Sequence, residues 1–234
     1  MKYEKIIEAE FLERPNRFIA HALLDGKAVV AHVKNTGRCK ELLVPGAKVY
    51  LNEPEGKERK TKYDLVAVVK KREGKESILI NMDSQAPNDA VAEWLPSSGL
   101  FSPDAIINRE VRLGESRFDF AITEPNSGKI TYLEVKGVTL EKDGVVMFPD
   151  APTERGVKHI KELSSLALAG VGAVVLFVVQ MNGVTLFKPN RNTHPEFAEA
   201  LSYAASCGVK ILAYDSLVSE DSMAIDKPIN ICLT

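Results

Sequence analysis

Residues 173–179 form an unbroken apolar run, Ala173-Val174-Val175-Leu176-Phe177-Val178-Val179, closed by the polar Gln180. A half-buried strand alternates apolar and polar residues, and an amphipathic helix repeats its apolar residues every three or four positions. This run does neither. It is far shorter than the roughly 18 residues of a membrane span, so it reads as a strand buried on both faces. Flanking segments can supply the cover. Residues 153–168 carry Ile160, Leu163, Leu166 and Ala167 as an apolar stripe, with Gly170 near the C-terminal end. Residues 195–206 read as a second helix ended by Gly208, and residues 209–214 as a last strand. The pattern predicts a mixed sheet flanked by helices.

The chain before about residue 83 reads differently. Residues 17–24 alternate, with Phe18, Ala20, Ala22 and Leu24 on one face, and Asp25-Gly26 is a two-residue hairpin signal leading to a partner strand over 28–33. Asn35-Thr36-Gly37-Arg38 and Pro45-Gly46 read as turns. Strands over 48–51, 64–69 and 77–81 follow, with a polar loop over 52–62. About five or six short strands without a long helix suggest a small Greek-key barrel, and an OB-fold fits the size. After it come a helix over 87–95, capped by Asn88 or Ser84 and stopped by Pro96-Ser97-Ser98-Gly99, and strands over 106–111, 118–122 and 130–136. The expected fold is therefore a two-domain α+β / α/β chain, with an OB-like barrel over 1–82 and the mixed sheet over 83–234.

Charge is divided along the same line. Net charge is only −2, but residues 1–82 hold 17 Lys and Arg against 12 Asp and Glu, while residues 83–234 hold 13 against 20. A basic first part suits a phosphate backbone, and an acidic second part suits a cation; lysines guarding an edge strand would give the same basic run. Cys39, Cys207 and Cys232 show neither disulfide nor CxxC zinc spacing. No apolar signal core follows Met1-Lys2-Tyr3, and no membrane span is read, so a cytoplasmic location is expected.

The chemistry concentrates in two strands, Ser116-Arg117-Phe118-Asp119-Phe120 and Leu133-Glu134-Val135-Lys136, separated by the turn signal Glu124-Pro125-Asn126-Ser127-Gly128. Strict alternation puts Arg117, Asp119 and Ala121 on one face and Phe118, Phe120 and Ile122 on the other, with Tyr132, Glu134 and Lys136 together on the second strand. Pairing as a hairpin would converge Asp119, Glu134 and Lys136 on one patch. Two carboxylates suit Mg²⁺ or Mn²⁺, and a lysine can position a water or balance charge. A solvated hairpin face with a surface ion pair would read the same way. The spacing Asp119-x14-Glu134-x-Lys136 resembles the PD-(D/E)xK nuclease core.

A second block, Phe148-Pro149-Asp150-Ala151-Pro152-Thr153-Glu154-Arg155-Gly156-Val157-Lys158-His159, opens the helix over 153–168. Asp150 or Thr153 can cap it. Arg155, Lys158 and His159 fall at i, i+3 and i+4 in its first turns, where free N–H groups and the dipole favour an anion. They are read as a phosphate clamp, against the plainer reading of Arg155 paired with a carboxylate and His159 as a satisfied surface residue. Gln180, at the tip of the buried strand, and Glu93, on the helix over 87–95, are accessory candidates, although a strand terminator and a solvated helix face would explain them too.

Taken together, Asn35-Thr36-Gly37, Arg59-Lys60-x-x-Tyr63, Pro87-Asn88, Ser116-Arg117-Phe118-Asp119, Glu134-Val135-Lys136 and the 148–159 block resemble the sugar fermentation stimulation protein (SfsA) family over nearly the whole chain. Arg38 stands where the family often has a small residue. The resemblance implies an OB-like N-terminal domain, a PD-(D/E)xK-like C-terminal domain, DNA binding and a link to sugar utilisation. Two functions are then open. In one, Asp119 and Glu134 bind Mg²⁺ or Mn²⁺ with the Val135 carbonyl, and Lys136 positions the attacking water. Arg155, Lys158 and His159 hold the flanking phosphate, and Arg38, Arg59, Lys60 and Lys62 deliver the strand. In the other, the protein is a non-catalytic DNA-binding regulator of sugar-utilisation genes.

Overall fold

The structure, a computed structural model, describes residues 1–35, 37–55 and 60–234. Its first part holds β1 (Ile6–Asn16), β2 (Ile19–Leu24), β3 (Lys27–Val33), β4 (Lys48–Asn52), β5 (Tyr63–Arg72) and β6 (Lys75–Asn81). The sheet order is β3-β2-β1-β4-β5-β6, and β3 also pairs in parallel with β5 through Ala31↔Tyr63, His32↔Asp64 and Val33↔Leu65. That extra pairing closes β1, β2, β3, β5 and β4 into the expected OB-like barrel, which removes exposed edges. The hairpin turn has Asp25 at φ 49° and Gly26 at φ 75°, the left-handed pair that matches strand twist in a two-residue loop. β1 alternates over Ile7-Glu8-Ala9-Glu10-Phe11, and register shifts between Phe11 and Glu13 and between Glu13 and Asn16 interrupt its pairing with β2 beyond that point.

The second part runs α1 (Ala86–Trp94), β7 (Ile106–Leu113), β8 (Ser116–Thr123), β9 (Ile130–Val138), β10 (Leu140–Lys142), β11 (Val145–Phe148), α2 (Glu154–Leu168), β12 (Gly172–Val179), β13 (Leu186–Pro189), α3 (Pro195–Ser206), β14 (Lys210–Val218), β15 (Met223–Pro228) and β16 (Asn230–Ile231). The main sheet has the order β15-β14-β12-β9-β8-β7. Its central strand β12 is parallel to β9 and β14, and the outer pairings are antiparallel. The apolar run behaves as expected. Val175, Phe177 and Val179 join the core that includes Ile160 and Leu163 of α2 and Phe197 and Leu201 of α3. Val174, Leu176 and Val178 join the opposite core with Ala90 and Val91 of α1. Strands β10, β11, β13 and β16 form a separate small sheet. No helix among the described residues is long and apolar enough to cross a membrane.

Barrel and mixed sheet share a core. Phe11, Val33, Leu65 and Ile80 of the barrel belong to the same buried cluster as Phe177 and Phe197. Polar groups stitch the seam. Lys70 reaches the buried Glu141 carboxylate at 2.5 Å. Gln180, 1% exposed, donates its amide hydrogens to the Asn81 carbonyl at 3.0 Å, Asn81 Oδ1 at 3.1 Å and the Asp83 carbonyl at 3.1 Å. Its backbone bridges too, donating to the Val138 carbonyl and accepting from Asn81 N–H, both at 2.9 Å. Gln180 thus ties the end of β6 to the ends of β9 and β12. Replacing it with Ala strands buried acceptors, each costing about 1–3 kcal/mol. We expect Gln180→Ala to lower the urea midpoint by a loss of that size with an unchanged slope. An unaltered midpoint would show that water replaces the amide freely.

Candidate functional site

The site begins where two strands part. The β8–β9 ladder runs from Thr123↔Ile130 to Phe120↔Leu133, and its next positions are Asp119 and Glu134. There the ladder stops, and the Asp119 carboxylate takes the place of a backbone partner. Its Oδ2 accepts from the Val135 N–H at 2.7 Å, and its Oδ1 accepts from Asn88 Nδ2 of α1 at 2.8 Å. On the far side of β8, Arg109↔Phe120 and Val111↔Phe118 pair, with Glu110 between them at φ 55°.

Alternation fails at the same point. Phe118 and Phe120 do not share a face, as strict alternation would have them. Phe118 lies in the α2-side core, its ring centroid 5.4 Å from Tyr132 and 6.1 Å from His159, whereas Phe120 lies in the α1-side core. The chain turns over between them, which points the Asp119 carboxylate along the sheet toward Val135.

Glu134 is 3% exposed. Its Oε1 accepts from Lys136 Nζ at 2.5 Å and is hydrogen-bonded to His159 Nδ1. Its Oε2 is buried and, among the described residues, without a hydrogen-bond partner. On the other ring edge, His159 Nε2 faces Arg155 Nε at 3.5 Å. A guanidinium can only donate, so Nε2 carries the lone pair and Nδ1 the proton that Glu134 receives. Two donors thus crowd one oxygen and leave the other bare.

The two carboxylates are driven apart. Burial raises the Asp119 pKa and the Glu134 charge adds to it, outweighing the bonds from Val135 and Asn88. Burial pushes Glu134 up as well, but the His159 hydrogen bond and the Lys136 charge more than offset it, and its pKa lies below the usual carboxylate range.

The remaining candidates scatter. Asp119, Glu134, Val135 and Lys136 do converge. His159, expected beside Arg155 and Lys158 on an exposed clamp, is 4% exposed and turned onto Glu134. Lys158 points outward between Glu115 and Glu162, each at 3.8 Å. Arg155 stays exposed at the start of α2, which Thr153 caps by accepting the Gly156 N–H at 3.0 Å. Glu93 is two-thirds exposed and pairs with the Met1 amine at 2.5 Å, with no bond to Asp119 or Glu134. Gln180 serves the seam described above, although a Cβ on Gly137, the residue after Lys136, would lie 2.5 Å from its Oε1. In the barrel, Lys62 pairs with Glu53 at 2.9 Å, Lys60 and Arg38 are exposed, and Arg59 lies outside the described residues. Sequence reasoning took Asn88 for a helix cap. The cap position is Gln85, without a side-chain cap bond, and Asn88 serves Asp119 instead.

A closed barrel fused to a mixed sheet whose central strands fork around Asp, Glu and Lys defines a class, and comparison with known proteins names it. Residues 12–80 match the model described as the SfsA N-terminal OB domain, and residues 85–222 match the sugar fermentation stimulation protein RE domain. The chain belongs to the sugar fermentation stimulation protein (SfsA) family. It is 50% identical over 233 residues to a sugar fermentation stimulation protein homolog of Ruminiclostridium cellulolyticum, covering 100% of both chains. A homolog of Desulfitobacterium hafniense is 53% identical over 223 residues, covering 95% of this chain and 94% of the relative. Among solved structures, Pyrococcus furiosus SfsA in complex with Ca²⁺ matches with a TM-score of 0.85 at 29% identity, covering 99% of this chain and 97% of that one.

The raised Asp119 pKa has a consequence for stability. A carboxyl that holds its proton more tightly when folded loses stability as pH rises past its ordinary value of 3.8. Asp119→Asn removes that ionisation, and the Asn88 amide can turn to keep its bond. We expect the variant to melt above wild type at neutral pH, with the advantage fading as pH falls toward 3.8 and lost below it. Melting curves across pH that show Asp119→Asn less stable throughout would contradict this account of the site.

Proposed function

We propose that this chain is a divalent-metal-dependent nuclease that binds DNA and cuts phosphodiester bonds at the β8–β9 fork. The observation that carries it is Glu134 Oε2, a buried, ionised carboxylate oxygen with no protein partner beside a second carboxylate. A buried acceptor of this kind calls for a cation or an ordered donor. The donor set is all oxygen, which suits Mg²⁺, Mn²⁺ or Ca²⁺. Among the described residues no cluster of three or more His, Cys, Asp or Glu is placed to hold a metal. Two carboxylates are nevertheless sufficient for Mg²⁺, which keeps several waters and takes one or two carboxylates plus substrate phosphate. Pyrococcus furiosus SfsA, solved in complex with Ca²⁺, supports the same kind of site.

Asp119, Glu134 Oε2 and the Val135 carbonyl would hold the ion. Bound there, it supplies Lewis acidity and an easily ionised water. The protein's own groups do the rest. Lys136, anchored on Glu134, keeps an ammonium where negative charge grows on the reacting phosphate. His159 fixes which Glu134 oxygen is free, as outer partners of metal ligands do. Arg155, exposed at the start of α2 and, among the described residues, without a carboxylate partner, holds a flanking phosphate in ground and transition states alike. Barrel cations guide the strand inward.

Mn²⁺ or Mg²⁺ should raise the melting temperature of wild type and not of Asp119→Asn or Glu134→Gln, a readout independent of activity. His159→Ala should weaken that metal response by about 10–100-fold in affinity. Cleavage would be screened over single-stranded, duplex, branched and RNA substrates. Lys136→Ala should reduce it by about 10²–10³-fold while leaving binding largely intact, whereas Arg155→Ala should weaken both. A wild-type protein that binds DNA but cuts nothing under any divalent metal would leave the non-catalytic regulator as the function.

A further inference from the structure

A second concave feature lies away from the β8–β9 fork. It is an open groove of about 780 Å³ on the barrel, between the β1–β2 turn and the segment before β4. Ligand sites usually span about 300–1,000 Å³. Leu12, Leu43, Val44 and Pro45 give it apolar walls. Val44 is 48% exposed and leaves its apolar surface open to the groove.

Around this apolar surface stand Arg17, Arg38 and Lys40, all exposed and, among the described residues, without a carboxylate partner. The groove's own acid, Glu13, is engaged by His21 at 2.8 Å. The shape is fixed by Arg14, whose guanidinium donates to the carbonyls of Gly37 and Arg38 at 2.9 Å, Asn35 at 2.8 Å and Arg17 at 2.7 Å. One side chain therefore pins the backbone of two of the unpaired cations. That removes much of the ordering cost of binding. Arg17 also lies 4.7 Å over the ring of Phe18, itself 45% exposed beyond the end of the groove.

We propose that this groove seats an unpaired nucleotide of a single-stranded segment, its base against Leu12, Leu43, Val44 and Pro45 and its phosphates on Arg17, Arg38 and Lys40. The assignment rests on the nucleic-acid reading above and goes beyond it by naming the strand form. Cations alone would accept any phosphate, duplex or not. An apolar wall gains only from a base whose face is free, and the stacked bases of a duplex offer none. Position agrees. Ala151 lines the groove, two residues before the Thr153 cap of α2, so a strand leaving it passes toward Arg155.

The test uses the full chain at one salt concentration with EDTA, so that nothing is cut. Wild type should bind an oligothymidylate of about ten nucleotides at least about tenfold more tightly than an abasic strand of equal charge, and more tightly than the matching duplex. This arm needs no mutant. Val44→Asp, at an exposed position, should pull thymidylate affinity down toward the abasic level. Arg38→Glu with Lys40→Glu should weaken both strands by about tenfold or more, and Lys129→Glu with Lys210→Glu, an equal charge change on the mixed sheet, should not. Equal affinity of wild type for thymidylate and abasic strands overturns the groove, even if cleavage with Mn²⁺ keeps the nuclease reading. Discrimination without cleavage supports the groove while the nuclease reading falls.

Discussion

β12 can lie at the centre of the sheet only because both its faces are covered, and that requirement sets most of what surrounds it. Covering one face takes α2 and α3, and covering the other takes α1. The parallel register Val175↔Glu134 and Phe177↔Lys136 then fixes β9 against β12 along its whole length. β9 can no longer shift without dragging side chains out of two cores. α2, packed on the same strand, must bring His159 onto Glu134, and α1 must bring Asn88 onto Asp119. The polar site is thus held by apolar packing on either side, which is how side chains are kept within the tolerance that chemistry demands.

That arrangement carries a cost at the fork. A buried carboxylate beside another is unfavourable unless partners compensate. Asp119 is partly compensated by a backbone N–H and an amide, Glu134 by an ammonium and an imidazole, all on Oε1. The bare Oε2 is the residue of that accounting. A purely structural ion pair would be expected to satisfy both oxygens, since a buried acceptor left alone costs stability. Strain of this kind, concentrated where local rules fail, is characteristic of working sites.

The failures of sequence reasoning fall in the same places. The apolar run, the Asp25-Gly26 hairpin, both long helices and the convergence of Asp119, Glu134 and Lys136 were legible, because each rests on periodicity or turn chemistry within a few residues. Alternation across Phe118, Asp119 and Phe120 misled because β8 turns over at the site itself. His159 and Lys158, adjacent in sequence, end in different surroundings, one buried on Glu134 and the other half-exposed between Glu115 and Glu162. Helical spacing places Arg155, Lys158 and His159 on one broad face and cannot say where the core boundary cuts it. Asn88 carried the weakest signal, since asparagine near a helix start ordinarily reads as a cap.

The shared core decides how the two halves can cooperate. Phe11 and Val33 of the barrel are buried with Phe177 and Phe197, and Gln180 binds the backbone of both parts, so the barrel is not a tethered module free to swing. The same fusion reaches the groove. Gly37 lies so close to the Asp150 carboxylate that a Cβ would come within 2.1 Å of it, and Asp150 leads through Ala151 to the cap of α2. Gly37 therefore meets both parts of the chain, Arg14 of the barrel on its carbonyl and the Asp150 carboxylate of the mixed sheet beside its Cα. A larger side chain at position 37 would have to displace the Asp150 carboxylate. The binding proposed for the barrel and the chemistry proposed for the fork would in this way share one frame, where the path of a strand would be set by covalent and packing geometry and not by a search between moving domains.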